Sequence, residues 1–210
     1  MLKSSGRIKK FKNPLKKDLT DNTYRQAKPF LERETGGRCC YSMIHKDDAG
    51  GNCAMDVEHI KPRNKIRVKP HRYSNLLYCS CHCNSMKGKK WPTKNDLKKG
   101  FRFLNPAVEQ DYNVHILEDK DTGILVGTTP AGKYHIENCD LNADHLIKAR
   151  KGRTEMIELL ERKNVRIICD EDKMPDMMEL IKKVKQNLEK SIPQIAYLPE
   201  DKSYMIYDYI

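Results

Sequence analysis

Five of the chain's eight cysteines crowd the two ends of one segment: Cys39 and Cys40 open it, and Cys79, Cys81 and Cys83 close it. No other feature constrains the fold as much, because a metal knuckle, intact or vestigial, draws the ends of its segment together. A disulfide framework is the competing reading. It suits small secreted chains, whereas a cytosolic chain of 210 residues keeps its thiols reduced. No apolar run approaches the roughly 20 residues that span a bilayer. The Lys-rich N-terminus is not followed by the hydrophobic stretch of a signal peptide. We therefore expect a soluble, cytoplasmic protein with no membrane partner.

The length allows one main core with attachments rather than several independent domains. With 40 Lys+Arg against 29 Asp+Glu, the formal net charge is +11, which favours a polyanionic partner. Charge alone does not separate a binding face from a solvated one, so the site chemistry has to decide.

The periodicities predict an α+β chain in three parts. Residues 1–35 make a basic arm, with Lys3, Arg7, Lys9, Lys10, Lys12, Lys16 and Lys17 and no acid among the first seventeen residues, followed by a helix from Asp21 to Glu34. Pro29 should kink that helix and Gly36-Gly37 should close it. Residues 36–100 read as strand, loop, strand and short helix, from Ala54–Ile60, Leu76–Tyr78 and a helix with Asn84 near its start. Residues 101–210 read as a hairpin around Asp121-Thr122-Gly123, then two helices. Asn142 would cap the first, with Leu146, Met156, Ile157, Leu159 and Leu160 facing the core. The second would run from about Asp176 to Lys190, ahead of a tyrosine-rich tail.

Three strings in the middle part carry chemistry when taken together: Asp56-Val57-Glu58-His59-Ile60-Lys61-Pro62-Arg63, Ser74-Asn75-Leu76 and Cys83-Asn84-Ser85-Met86-Lys87-Gly88. Taken singly, each has a bland explanation as a surface pair, a turn or a helix cap. In this order and spacing, Gly36 to Pro92 resembles the HNH, or ββα-metal, nuclease motif, in the subgroup reading acid-His, Asn, then Cys-Asn-x-x-Lys-Gly. The resemblance implies two antiparallel strands and a helix clasping one Mg²⁺ or Mn²⁺, with hydrolysis of DNA phosphodiester bonds.

The residue types suit such roles. Glu58 and Asn84 offer hard oxygen ligands for the divalent ion. His59 would be the general base for the attacking water, with Asn75 holding its ring. Lys61, Arg63, Lys87, Lys89 and Lys90 would contact phosphate. One difficulty is geometric: neighbouring strand residues point to opposite faces, so Glu58 and His59 share a site only if the strand bends or ends there.

Many HNH relatives hold a structural zinc between two C-x-x-C pairs. Here the pairs reduce to Cys39 with Ser42 and Ser80 with Cys83, which favours buried apolar thiols in place of the knuckle. A shifted zinc site using Cys40, Cys79, Cys81 or His82 is the alternative. Arg102–Pro106, Gly132–Ile136 and Leu141–Arg150 also resemble the extension of HNH proteins in two-gene antiphage systems of the Septu type and near retrons. That second resemblance implies a partner ATPase of the SMC or ABC kind. The rival reading is a non-catalytic nucleic-acid-binding knuckle, or a regulatory subunit whose nuclease site has decayed. Two further strings are set aside. Gly127–Lys133 fits a phosphate-binding loop until Tyr134 replaces the required hydroxyl, and Tyr134-His135-Ile136 alternates like a strand. His135-Ile136-Glu137 lacks the cysteines of a zinc deaminase.

Overall fold

The computed structural model describes residues 10, 14–15, 17–107, 112 and 114–168, with 160–168 described by backbone alone. Within these the chain is mixed α+β, built from two small antiparallel two-stranded sheets and several helices. The expected helix at 176–190, the tyrosine-rich tail and most of the basic arm lie outside the described residues.

A 3₁₀ turn, Tyr24–Ala27, runs directly into helix α1, Lys28–Thr35. Pro29 sits in the first turn of α1, where its missing N–H forfeits no bond, so it starts a helix instead of kinking a longer one. Gly36 ends α1 in the left-handed conformation at φ 60°, which a glycine adopts without a Cβ penalty.

Strands β1, Met55–His59, and β2, Leu76–Ser80, pair antiparallel with Met55 opposite Ser80 and His59 opposite Leu76. Every residue of β2 is buried, and α1 packs on it. Helix α2, Cys81–Lys87, follows β2 without a gap. Its cap is the Ser80 hydroxyl, which accepts the Cys83 N–H at 3.3 Å, and not the expected Asn84, which sits one turn into the helix. Thr93 and Asp96 cap the short helix α3, Lys94–Lys98, with a reciprocal box.

The expected hairpin forms as β3, Ile116–Glu118, and β4, Leu125–Gly127. The strand pattern at Tyr134–Ile136 is overturned, because these residues lie in helix α4, Pro130–Asn138. Local chemistry explains the difference: the Thr129 side chain accepts the Gly132 N–H at 3.1 Å, and Pro130 supplies a preset φ at the helix start. The glycines of this string serve packing. A Cβ on Gly132 would overlap the His115 carbonyl, and one on Gly127 would overlap the backbone of Lys133.

Asn142 does not cap the following helix either. Its amide accepts the Leu125 N–H at 2.8 Å and donates to the Leu125 carbonyl at 2.9 Å, extending the edge of β4. Helix α5, Asp144–Ile168, begins two residues later. Of its expected apolar stripe, Leu146 is buried, Ile157 is half-buried, and Met156 and Leu159 are exposed, while the Leu160 side chain lies outside the described residues.

The buried apolar side chains form one cluster, running from Leu31 on α1 through Leu76, Leu77 and Tyr78 on β2 to Ile116, Leu141 and Leu146. The β1–β2–α2 unit and the C-terminal hairpin therefore share a core. Full burial of a leucine or isoleucine is worth roughly 1.5–3 kcal/mol, so this shared core holds β1 and α2 in a fixed relation. No helix among the described residues is long and apolar enough to cross a membrane.

Candidate active site

Strand β1 divides the residues expected to act together. Alternation along the strand sends Glu58 toward α2 and His59 to the opposite face, toward the 3₁₀ turn, and no bend at Pro62 reunites them. Glu58, 4% exposed, is ion-paired with the Lys87 ammonium. Lys87 also donates to the His59 carbonyl at 2.9 Å. Burial pushes the Glu58 carboxyl up to about 7 despite the ammonium beside it.

Several of the expected site side chains are engaged within the protein. Lys87 is fully buried and cannot reach a phosphate, because its charge is spent on Glu58. Glu58 and Asn84, the expected ion ligands, have other partners: Asn84 Nδ2 lies 3.5 Å from Asp56 Oδ2, while the Glu58 carboxylate is engaged by Lys87 and the His59 amide. An ion at Glu58 would have to displace the ammonium, so this donor set does not fit Mg²⁺ or Mn²⁺ in this conformation.

Asn75 does not hold the His59 ring. Its Oδ1 accepts the Lys61 N–H at 2.9 Å, and its Nδ2 donates to the carbonyls of Lys61 and Pro70, each at 3.0 Å. One amide thereby clamps both ends of the loop over residues 61–70. The loop's basic residues alternate with apolar or small ones, and the clamp replaces a regular strand pairing as the source of its shape.

The partner of His59 is His71, just beyond that loop. His59 Nε2 lies 3.0 Å from His71 Nδ1, and His71 Nε2 lies 3.1 Å from Asp21 Oδ1. Asp21 also accepts from Arg63 at 2.7 Å, and this bond holds its carboxyl below the usual range. The Tyr24 ring stacks on His71 at 4.9 Å and tilts against His59 at 5.1 Å.

The direction of this chain follows from donor and acceptor chemistry. An ionised Asp21 only accepts, which suits the His71 tautomer that donates through Nε2 and accepts through Nδ1. His59 then donates through Nε2, which leaves its Nδ1 lone pair as the basic atom. The His59 ring is 8% exposed, and burial, reinforced by the neighbouring His71 and Arg63, drives its pKa down to about 4. At neutral pH it is an unprotonated imidazole, hydrogen-bonded to His71. His71, Asp21 and Tyr24 were not identified from sequence, because no motif spacing links them to His59.

Around this group the expected phosphate contacts divide. Arg63, Lys89 and Lys90 are exposed, while Lys61 is half-buried with its ammonium 5.8 Å from the Trp91 ring. Lys65 and Arg67 add exposed positive charge on the loop of Arg63, and Arg72 adds more just beyond it. From the basic arm, Lys10 turns inward, donating to Glu34 at 2.6 Å and to the Leu76 carbonyl at 2.8 Å.

Behind α2, the sulfurs of Cys39, Cys40 and Cys79 lie within 4.8 Å of one another, all buried. Cys83, also buried, is in hydrogen-bond reach of Cys39 and Cys79. Such a set of soft donors could hold a zinc ion. Cys81 and His82 do not join it. Cys81 is exposed, with its thiol facing the Cys53 carbonyl, and His82 pairs with Asp140.

No family model matches the chain, and no curated protein matches it.

Proposed function

We propose that this chain is an HNH-type endonuclease that hydrolyses DNA phosphodiester bonds, with His59 as general base. The observation that carries the reading is the β1–β2–α2 unit, the strand–strand–helix order of the motif, with a buried imidazole, hydrogen-bonded to His71, at the end of β1. His59 Nδ1 would take the proton of the attacking water. The charge that develops on the ring would be shared through His71 with Asp21. Arg63, Lys65, Arg67, Lys89 and Lys90 would bind the DNA backbone, in keeping with the net charge of +11.

The motif resemblance makes Mg²⁺ or Mn²⁺ a requirement, and no step above depends on where such an ion would sit. The thiol group behind α2 is proposed to hold zinc as a structural knuckle, tying the loop before β1 to the end of β2. The weaker resemblance adds an antiphage role under the control of an SMC- or ABC-type ATPase.

A second reading has its own observation. The buried Glu58–Lys87 pair occupies the expected ion position, as it would in a non-catalytic nucleic-acid-binding knuckle or a decayed regulatory subunit. A plasmid-nicking assay separates the two, run with Mg²⁺, Mn²⁺ or chelator on the chain alone and on the chain co-expressed with its genomic neighbour. Metal-dependent nicking that falls roughly 10²-fold or more in His59→Ala is the expected result. DNA retention without nicking under every condition would establish the second reading instead.

A further inference from the structure

A cavity of about 510 Å³ opens between the loop following α1 and the first half of α5, and it shares no lining residue with the His59 group. Three guanidinium groups line it, from Arg38, Arg150 and Arg153, together with the Ser42 hydroxyl. Among the described residues, few buried side-chain polar atoms lack a hydrogen-bond partner. Three of them belong to this wall, Arg150 Nη1, Arg153 Nε and Ser42 Oγ, and a fourth, Glu118 Oε2, belongs to the acid paired with Arg153.

The two guanidinium nitrogens can only donate, while the Ser42 hydroxyl is also in hydrogen-bond reach of Cys39. An unmet buried donor is costly, so a wall carrying two guanidinium nitrogens of this kind calls for an acceptor with more than one oxygen. Arg150 is 3% exposed and rigidly held, donating through Nε to the Gly123 carbonyl at 2.5 Å and through Nη2 to the Leu141 carbonyl at 2.9 Å. Its remaining nitrogen is therefore preorganised. The nearby acids do not cancel the arginines. Glu118 pairs with Arg153, and Asp48 lies on the rim beside Arg38, which leaves one guanidinium in excess. Ile44 and Leu146 supply an apolar part of the lining. The volume suits a small molecule rather than a single water.

We propose that this cavity binds the terminal phosphate or pyrophosphate of an organic phosphate, with the phosphate oxygens on Arg38, Ser42, Arg150 and Arg153 and the organic part against Ile44 and Leu146. Guanidinium forks match phosphate oxygens two at a time, which gives the site geometric as well as charge selectivity. Two sources present this chemistry: a free nucleotide and the 5′-phosphate end of a nucleic-acid strand. The inference does not depend on the nuclease reading.

The test is calorimetric titration of the full chain at fixed ionic strength with pyrophosphate, AMP, and one oligonucleotide bearing either a 5′-phosphate or a 5′-hydroxyl. Arg38→Gln is the main variant, because among the described residues the Arg38 side chain donates to a single group, the Met43 carbonyl at 3.1 Å. Ser42→Ala is the second, and the structural Arg150 is left intact. Binding of at least one phosphate probe, weakened about tenfold or more by Arg38→Gln, is the expected result. Arg38-dependent binding of AMP or pyrophosphate identifies a free nucleotide as the source. Arg38-dependence confined to the 5′-phosphorylated strand identifies a nucleic-acid end. No heat with any probe, or equal affinities for the wild type and both variants, overturns the proposal.

Discussion

Replacing His59 with Gln should remove an acid-dependent loss of stability from this protein. The imidazole titrates at about 4 in the fold against a reference of 6.5, so between those values the unfolded chain takes a proton that the folded chain refuses. A depressed folded pKa of this kind leaves stability intact above 6.5 and removes it as pH falls toward 4. At about 1.4 kcal/mol per pH unit of separation, the loss attributable to His59 is roughly 2 kcal/mol at pH 5 and near zero at pH 7. Glu58 acts in the opposite sense. Its carboxyl is raised from 4.5 to about 7, so its contribution is present below 4.5 and fades as pH rises through 7. The two terms oppose each other in the wild type, but the Glu58 term is common to both proteins and cancels in the comparison. Gln can still donate to His71, which limits the change at pH 7. Urea unfolding of wild type and His59→Gln at pH 7 and pH 5 measures the difference. The variant should gain about 2 kcal/mol on the wild type between those two conditions. Parallel pH dependence in the two proteins would refute the buried, neutral imidazole and the relay built on it.

The remaining predictions concern the groups around His59. The acid limb of cleavage should fall well below 6.5, toward 4, in a pH–rate profile at saturating metal, and a limb at 6.5 would mean a solvated imidazole. His71→Phe keeps a ring against Tyr24 but cannot accept from His59, so kcat should drop about tenfold or more with DNA affinity unchanged, and an unaltered kcat would remove His71 from the chemistry. Glu58→Gln strands the Lys87 ammonium in the interior and should cost about 3–5 kcal/mol in urea unfolding, with much of it recovered in Glu58→Gln/Lys87→Met; a single variant as stable as wild type would show that the pair is not buried. Zinc retained through chelator-free purification should be lost in Cys39→Ser and kept in Cys81→Ser, as measured by elemental analysis, and equal retention would place the metal elsewhere.

Local chemistry made much of the framework legible in advance. The turn residues around Gly123 gave the β3–β4 hairpin, the alternation through Val57 and His59 gave β1, and the two cysteine groups foretold that the ends of their segment would meet, as they do at Cys39 and Cys79. Where reading failed locally, a short-range bond was the cause: the Thr129 cap made a helix of residues that alternate like a strand, and the Ser80 cap took the place expected for Asn84.

The candidate site was legible in its members but not in its partnerships. His59 as the imidazole at the end of a strand follows from sequence order, because a strand and a following proline fix where that side chain emerges. That Glu58 turns to the other face and is neutralised by Lys87, that Asn75 clamps backbone, and that His71 and Asp21 complete the relay all depend on which segments the shared core brings together. Asp21 and His71 are 50 residues apart. Spacing along a chain encodes local geometry, whereas a contact across that distance is decided by which buried faces pack, and only the tertiary structure records the result.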